Sequence, residues 1–234
     1  MDFRHPGHMA FVLFTRTREE EARAKDFSAT HSLRTNSLIA GHLIGHAERT
    51  ARNTGLPCFV ISSAQQHGNS FGEKLAHAFE DIYSLGYTQV IAIGNDCPTL
   101  TTNDLLEAAT ALNAHGAVMG PANDGGVYLI GLHRKHFDRL YFEKLPWSSD
   151  NLFVSLTEYF SVNGISFASS RALSDIDYPT ALQQVLKGTQ LSTSLRFILI
   201  SLLAGLYAVI NKDQTNPTLS QPRMYVGLRA PPVF

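Results

Sequence analysis

The sequence predicts an α/β protein with a mostly parallel central sheet, because short apolar runs alternate with segments of helical periodicity. The run at 90–93, Val-Ile-Ala-Ile, is bounded by turn-forming residues, which is typical of a strand buried on both faces. Similar runs at 9–14 and 58–61 each precede a helical pattern, and right-handed crossovers make such strands parallel. The 234 residues are enough to bury a sizeable core.

The remaining elements follow in order from the same patterns. Gly55 and Gly86 end two helical segments, and Pro98 delays the next helix until after a loop. A turn of Asn, Asp and two Gly residues separates two further strands, as in a hairpin. The predicted helices are 37–54, 71–85, 102–115 and 151–163, and the later strands are 117–119, 127–132 and 166–168.

Acidic residues follow three of these strands. Asp96 stands between Asn95 and Cys97-Pro98, directly after the central strand. Ligands of open α/β sheets bind outside the carboxyl ends of the strands, so Asp96 and Asn95 are candidate site residues. A turn residue or a helix cap is the alternative interpretation of Asp96.

Two further acidic segments extend this pattern. In the hairpin turn, Asp124 precedes Gly125 and Gly126, and glycines allow the backbone to approach a ligand closely. Asp175 and Asp177 precede Tyr178-Pro179 at the start of a helical pattern. A simple Asp-Gly turn for Asp124 and a helix cap for Asp177 are the alternatives.

Positive charge follows the first strand, where nucleotide-binding folds place phosphate contacts. Arg16 and Lys25 are the favoured phosphate-binding residues of this stretch. A solvated charged helix over 18–25, stabilised by pairs four residues apart, is the alternative.

The motifs IGNDCPTLT, GPANDGGVYLIGL, LPWSSD and SDIDYPTAL together resemble the bacterial selenodomain-associated transferases, also called domain of unknown function 2064. The resemblance runs from about residue 9 to 186. It implies a three-layer GT-A-like fold, similar to glycosyltransferases and more distantly to nucleotidyltransferases. The chain departs from the family at the first loop, which lacks the usual glycines, and this departure leaves the nucleotide unspecified.

The resemblance implies a metal-dependent glycosyltransferase that uses a nucleoside-diphosphate sugar and an unidentified acceptor. Asp96 and Asp177 would hold Mg²⁺ or Mn²⁺, since such ions take one or two protein carboxylates together with phosphate oxygens. Asp124 would act on the acceptor or sugar, and Arg16, Lys25, Asn95, Gly125 and Gly126 would contact the nucleotide or its phosphates. A nucleotidyltransferase and a non-catalytic or membrane-associated binding protein are the alternatives.

Composition limits the partners. A formal net charge of -1 excludes a general basic field for nucleic acid. The sequence has only two cysteines and no leader pattern at its start, so we expect the protein to be located in the reducing cytoplasm. A location at the periphery of the inner membrane is the alternative.

The predicted organisation is an N-terminal arm at 1–8, a transferase domain at 9–190 and an apolar helix with a proline-containing tail at 191–234. The apolar stretch 195–210 is shorter than the roughly 20 residues that span a bilayer, so a docked helix is expected, with peripheral membrane contact as the alternative.

Within the predicted transferase domain, Trp147 either stacks on a ligand ring or packs on the domain. Ser148 or Ser149 is the expected cap of helix 151–163.

Overall fold

The computed structural model describes residues 8–214, with side chains through residue 205. Most of the predicted N-terminal arm and the tail after residue 214 lie outside the described residues. The strands are β1 (Met9–Thr15), β2 (Cys58–Ser62), β3 (Gln89–Ile93), β4 (Ala117–Pro121), β5 (Val127–His133) and β6 (Phe167–Ser169). The helices are α1 (Arg18–Ala24), α2 (Leu33–Arg52), α3 (Phe71–Ser84), α4 (Thr102–His115), α5 (Arg139–Lys144), α6 (Leu152–Val162), α7 (Pro179–Lys187) and α8 (Thr193–Gln214).

The strands form one six-stranded sheet in the order β2-β1-β3-β5-β4-β6. Within residues 8–214, β5 alone runs against its neighbours, because the turn after β4 returns the chain directly beside it. All other pairings are parallel, which confirms the predicted mostly parallel sheet. The carboxyl ends of β1 and β3 therefore lie side by side at one edge.

Helices cover both faces of the sheet. Phe79 of α3 and Phe160 of α6 fill the core on one face of the sheet. Leu105 and Leu112 of α4 pack with α2 residues on the other face. The predicted three-layer arrangement is confirmed by these two cores.

Helix α8 lies against α2 and forms a third apolar cluster with α7. Its Leu195 and Leu199 are buried, whereas Phe197 is 72% exposed. Across residues 8–214, none of the helices combines the length and apolarity needed to cross a membrane.

The start of α6 differs from the prediction that Ser148 or Ser149 caps it. Asn151 occupies the cap position and makes no side-chain cap bond. The Ser149 hydroxyl instead accepts from the Asn151 amide, and the Ser149 carbonyl accepts from Leu152. The prediction is wrong because the segment after Trp147 uses its serine to close a turn.

A buried hydrogen bond ties α3 to the sheet and gives a stability prediction. The Tyr83 hydroxyl donates to the Leu132 carbonyl over 3.0 Å. Tyr83→Phe should lower the free energy of unfolding by about 1 kcal/mol, the usual net value of such a bond. Urea unfolding would measure it, with Tyr87→Phe as the matched control because Tyr87 lies at the same core's edge. Equal stability of wild type and Tyr83→Phe would contradict the prediction.

Candidate functional site: a carboxylate and lysine cluster

A cavity of about 890 Å³ opens at the edge where β1 and β3 end. Its volume lies in the range of roughly 300–1,000 Å³ that small-molecule sites occupy. The charged part of its lining comes mainly from the β1–α1 connection, from α1 with its cap Lys25, and from the β3–α4 and β6–α7 connections; the apolar part includes side chains of α3 and of the segment before α6.

Lys25 lies at the centre of the charged part. Its Nζ is 2.7 Å from Asp177 Oδ1, 3.0 Å from Asp96 Oδ2 and 3.1 Å from Glu21 Oε1. Burial by itself lowers the pKa of Lys25, but the charges of Asp96, Glu21 and Asp177 outweigh it and raise that pKa above its ordinary value. The ammonium is therefore a fixed positive charge that holds Asp96 and Asp177 together.

The backbone brings the two acidic loops into register. The amide of Ile176, a fully buried residue, donates to the Asp96 carbonyl over 2.9 Å. Arg171 adds a second link, since its guanidinium binds both carboxylate oxygens of Asp104 at 2.7 Å and the Thr99 carbonyl at 2.9 Å. The loops after β3 and β6 thus form one unit.

The carboxylates of Asp124, Asp175 and Asp177 form a second cluster. Each offers an oxygen, and these oxygens lie within 4.8 Å of one another. Burial, and then the charges of Asp124, Asp177 and Asp96, raise the pKa of Asp175 to about 6. Asp177 belongs to both this cluster and the group around Lys25.

The capping alternatives for these acids are excluded by the helix starts. Thr101 caps α4 in a reciprocal pair with Asp104, so Asp96 is not the cap. Tyr178 holds the cap position of α7, where no side-chain cap bond forms. The carboxylates of Asp96 and Asp177 are thereby directed to Lys25.

The turn alternative for Asp124 is realised in part. Its Oδ1 accepts from the Gly126 amide over 2.9 Å, as in an Asp-Gly turn. The Gly125 amide donates to Ala122, and the Gly125 carbonyl accepts from Phe153. The turn therefore uses the amides of Gly125 and Gly126, the two glycines predicted to contact the nucleotide, for its own closure.

Arg16 and Asn95 also line the cavity. Arg16 pairs with Glu21 over 3.0 Å and leaves about half of its side chain exposed. Asn95 is 94% buried, with its Oδ1 2.7 Å from the Thr15 hydroxyl. Among the described residues its Nδ2 has no hydrogen-bond partner, and that nitrogen is buried.

Trp147 packs on the domain and also lines the cavity. Its Nε1 donates to the Phe142 carbonyl over 2.7 Å, and its ring lies 4.8 Å from that of Phe142 and 5.6 Å from that of Phe71. The packing alternative is therefore correct for one side of the ring.

Comparison with known proteins identifies the family. The sequence model of a bacterial family, described as uncharacterized protein conserved in bacteria (DUF2064), matches residues 27–149. This chain belongs to the DUF2064 family. The resemblance drawn from the four motifs is thereby confirmed. No curated protein sequence matches the chain.

Solved structures share the fold of this DUF2064 chain. A protein from Desulfovibrio desulfuricans G20, provisionally described as a nucleotide-diphospho-sugar transferase, is 18% identical with a TM-score of 0.75; the match covers 87% of this chain and 97% of that one. Rv0371c of Mycobacterium tuberculosis H37Rv, solved with manganese, is 13% identical with a TM-score of 0.42, covering 77% and 99%. A CMP:2-keto-3-deoxy-manno-octonic acid synthetase with CTP is 12% identical with a TM-score of 0.42, covering 76% and 96%. The first match confirms the predicted nucleotide-sugar transferase fold.

The sequence prediction for this DUF2064 protein omits two residues of the candidate site, Asp175 and Glu21. Asp175 lies in the predicted acidic segment without a predicted role, and its spacing of two from Asp177 is the signal that points to it. Glu21 is 2% exposed and contacts both Arg16 and Lys25, and its spacing of four from Lys25 on a helical pattern was the available signal.

The donor set of this cavity fits a hard divalent cation. Carboxylate oxygens are the ligands that Mg²⁺ and Mn²⁺ prefer, and a few of them suffice when phosphate and water complete the shell. Burial, and after it the negative charges of neighbouring carboxylates, raise the pKa of Asp175, and a bound cation would offset the effect of those charges.

Proposed function

We propose that this chain is a divalent-metal-dependent transferase that uses a nucleoside-diphosphate sugar. The observation that carries the proposal is the juxtaposition of three carboxylates within 4.8 Å and a buried lysine that contacts one of them, Asp177, all lining one large cavity. A bound diphosphate would need both kinds of group, because carboxylates hold the cation that binds its oxygens and the lysine ammonium neutralises its remaining charge.

Asp175 and Asp177 would hold the ion, and Asp124 would orient the hydroxyl of the acceptor. This assignment keeps Asp177 from the sequence prediction and exchanges Asp96 for Asp175, because Asp175 and Asp177 belong to the cluster whose carboxylate oxygens lie within 4.8 Å of one another. When bound, the ion supplies Lewis-acid stabilisation of the charge that develops on the leaving diphosphate.

Lys25 and Arg16 would neutralise the phosphates, and Asn95, which also lines the cavity, would contact the nucleotide. In the transfer, the bond between the sugar carbon and the diphosphate oxygen breaks and a bond to the acceptor oxygen forms. The acceptor proton passes to Asp124, and the electron pair leaves with the nucleoside diphosphate. Lys25 remains protonated throughout, since its neighbours raise its pKa.

The first loop favours a diphosphate donor over a nucleoside triphosphate. The Thr17 amide donates to the Ser63 hydroxyl, and the Glu20 amide donates to the Thr17 hydroxyl. These amides are unavailable for the cradle of backbone N–H groups that a triphosphate usually needs. Pyrophosphate release from GTP or CTP would instead support nucleotidyl transfer.

The central test is isothermal titration calorimetry of the wild-type protein with Mn²⁺, and then with UDP or GDP in the presence and absence of Mn²⁺. We expect Mn²⁺ to bind and to strengthen the binding of one nucleoside diphosphate. Absence of Mn²⁺ binding, or nucleotide binding that is indifferent to Mn²⁺, would overturn the proposal.

Replacing the central lysine should move two affinities in opposite directions. Lys25→Met removes the charge that competes for Asp177, so Mn²⁺ should bind about tenfold more tightly, a change of about 1.4 kcal/mol. The nucleoside diphosphate should bind about tenfold more weakly, because a phosphate contact is lost. Lys74→Met is the control, since Lys74 lines the same cavity. A parallel loss of both affinities would contradict the two roles given to Lys25.

A further inference from the structure

The apolar part of the cavity has no role in the proposed chemistry. Its wall consists of side chains from β1, the start of α3, the segment before α6 and the first residue of α6, namely Phe14, Phe71, Trp147 and Leu152. Phe71 is 47% exposed although its ring lies 5.5 Å from Phe14 and 5.6 Å from Trp147. A large aromatic surface is thus presented to the cavity on a packed support.

This aromatic wall is held in one geometry. Trp147 is anchored through its Nε1 to the Phe142 carbonyl. Gly72 lets α3 approach it, because a Cβ at that position would lie 2.4 Å from the Glu143 carbonyl oxygen and 2.9 Å from the Trp147 ring. A surface prepared in this way loses little conformational entropy when a ligand binds.

The wall is joined to the carboxylate cluster by the backbone. The Phe153 amide, one residue after Leu152, donates to the Gly125 carbonyl over 3.2 Å. Gly125 directly follows Asp124 in the turn after β4. A molecule lying on the wall therefore has its polar end near the group that we assign to the acceptor hydroxyl.

We propose that the wall formed by Phe14, Phe71, Trp147 and Leu152 binds the acceptor, and that this acceptor is an alcohol carrying an apolar ring. The inference rests on the proposed function and names its second substrate by chemical class. Aromatic rings attract such a group by stacking and by the removal of apolar surface from water.

A nucleobase is a poorer occupant of the same wall. Bases carry hydrogen-bonding edges, and burying such an edge without a partner costs free energy. The four wall residues offer apolar surface, and the Trp147 N–H is already bound to Phe142. The cavity's lining also includes the polar side chains Ser63 and Gln66, which are not part of this wall.

The chain contains a single tryptophan, so its fluorescence reports on this wall directly. The probe is 4-nitrobenzyl alcohol, an aryl alcohol that quenches indole emission, and glycerol is the polar alcohol used for comparison. We expect 4-nitrobenzyl alcohol to quench Trp147 in wild-type protein already saturated with Mn²⁺ and UDP, and glycerol to leave the emission unchanged.

Phe71→Ala should weaken the aryl alcohol roughly tenfold or more, as removal of a stacking ring commonly does. Calorimetry measures this affinity independently of the tryptophan signal. Leu85→Ala is the matched control, because Leu85 is 63% exposed at the opposite end of the same helix and does not line the cavity. Mn²⁺ and UDP affinities should be unchanged in both variants.

Two results would overturn the inference. In one, UDP alone shifts the Trp147 emission and competes with the aryl alcohol, which would give the wall to the nucleobase. In the other, Mn²⁺ and UDP bind normally while the aryl alcohol does not quench. The proposed function fails by a different result, in which Mn²⁺ and UDP do not bind. Quenching by the aryl alcohol in that case would still support an apolar binding site at this wall.

Discussion

Asp177→Asn is expected to weaken Mn²⁺ binding by about 100-fold, or about 2.7 kcal/mol, and to weaken nucleoside diphosphate binding with it. Asp177 is the carboxylate shared by both clusters, because it contacts Lys25 at 2.7 Å and also lies in the group with Asp124 and Asp175. Its neutralisation removes one ligand charge and at the same time releases Lys25 from its shortest contact.

Calorimetry with Mn²⁺ measures the first effect, and the same titration with UDP or GDP measures the second. Asp81→Asn is the matched control, since Asp81 is an exposed aspartate on α3. A thermal melt of each variant separates loss of binding from loss of folding. If Asp177→Asn retained wild-type Mn²⁺ affinity while Asp96→Asn lost it, the ion would belong to Asp96 and the assignment made here would be wrong.

Gly125→Ala is expected to destabilise the protein by about 3 kcal/mol or more. Gly125 has a φ of +94°, a region that costs an L-residue roughly 1–2 kcal/mol. An added Cβ would also lie 2.0 Å from the backbone oxygen of Asp150, so a backbone segment must move, which typically costs a further 1–3 kcal/mol. The displaced turn carries Asp124, so transfer to the acceptor should fall as well.

The control is Gly164→Ala, which separates the two costs. Gly164 also has a positive φ, +62°, but a Cβ there meets nothing within 4 Å. Its replacement should cost only the conformational part, about 1 kcal/mol. Urea unfolding of both variants gives the comparison, and equal losses would show that the contact with Asp150 adds no strain.

The fold was predictable because its signals are local. The strand at 90–93 became β3, since a run of β-branched residues between turn formers can bury both faces only within a sheet. The turn around Asp124 correctly predicted that β4 and β5 pair in opposite directions. The apolar periodicity of α3 and the glycine after it predicted that helix and its end.

The site was predictable only as a set of candidates. Position after a strand predicts Asp96, the family resemblance predicts Asp177, and both line the cavity. The sequence predicts that Lys25 binds phosphate, whereas in the structure it forms ion pairs with both of these aspartates. The family resemblance favours Asp177 over Asp175 for the metal, whereas the fold brings both carboxylates into one cluster with Asp124.

The sequence alone therefore determined the α/β class, the strand and helix order and the edge at which polar residues collect, because each depends on interactions within a few residues. The tertiary structure decided which charges become neighbours. Lys25 and Asp96 are 71 positions apart, and their 3.0 Å contact exists because β1 and β3 pair side by side and the Ile176 amide fixes the third loop against Asp96. The energy of such a contact depends on separation through space, and that distance is set by the packing of the whole domain.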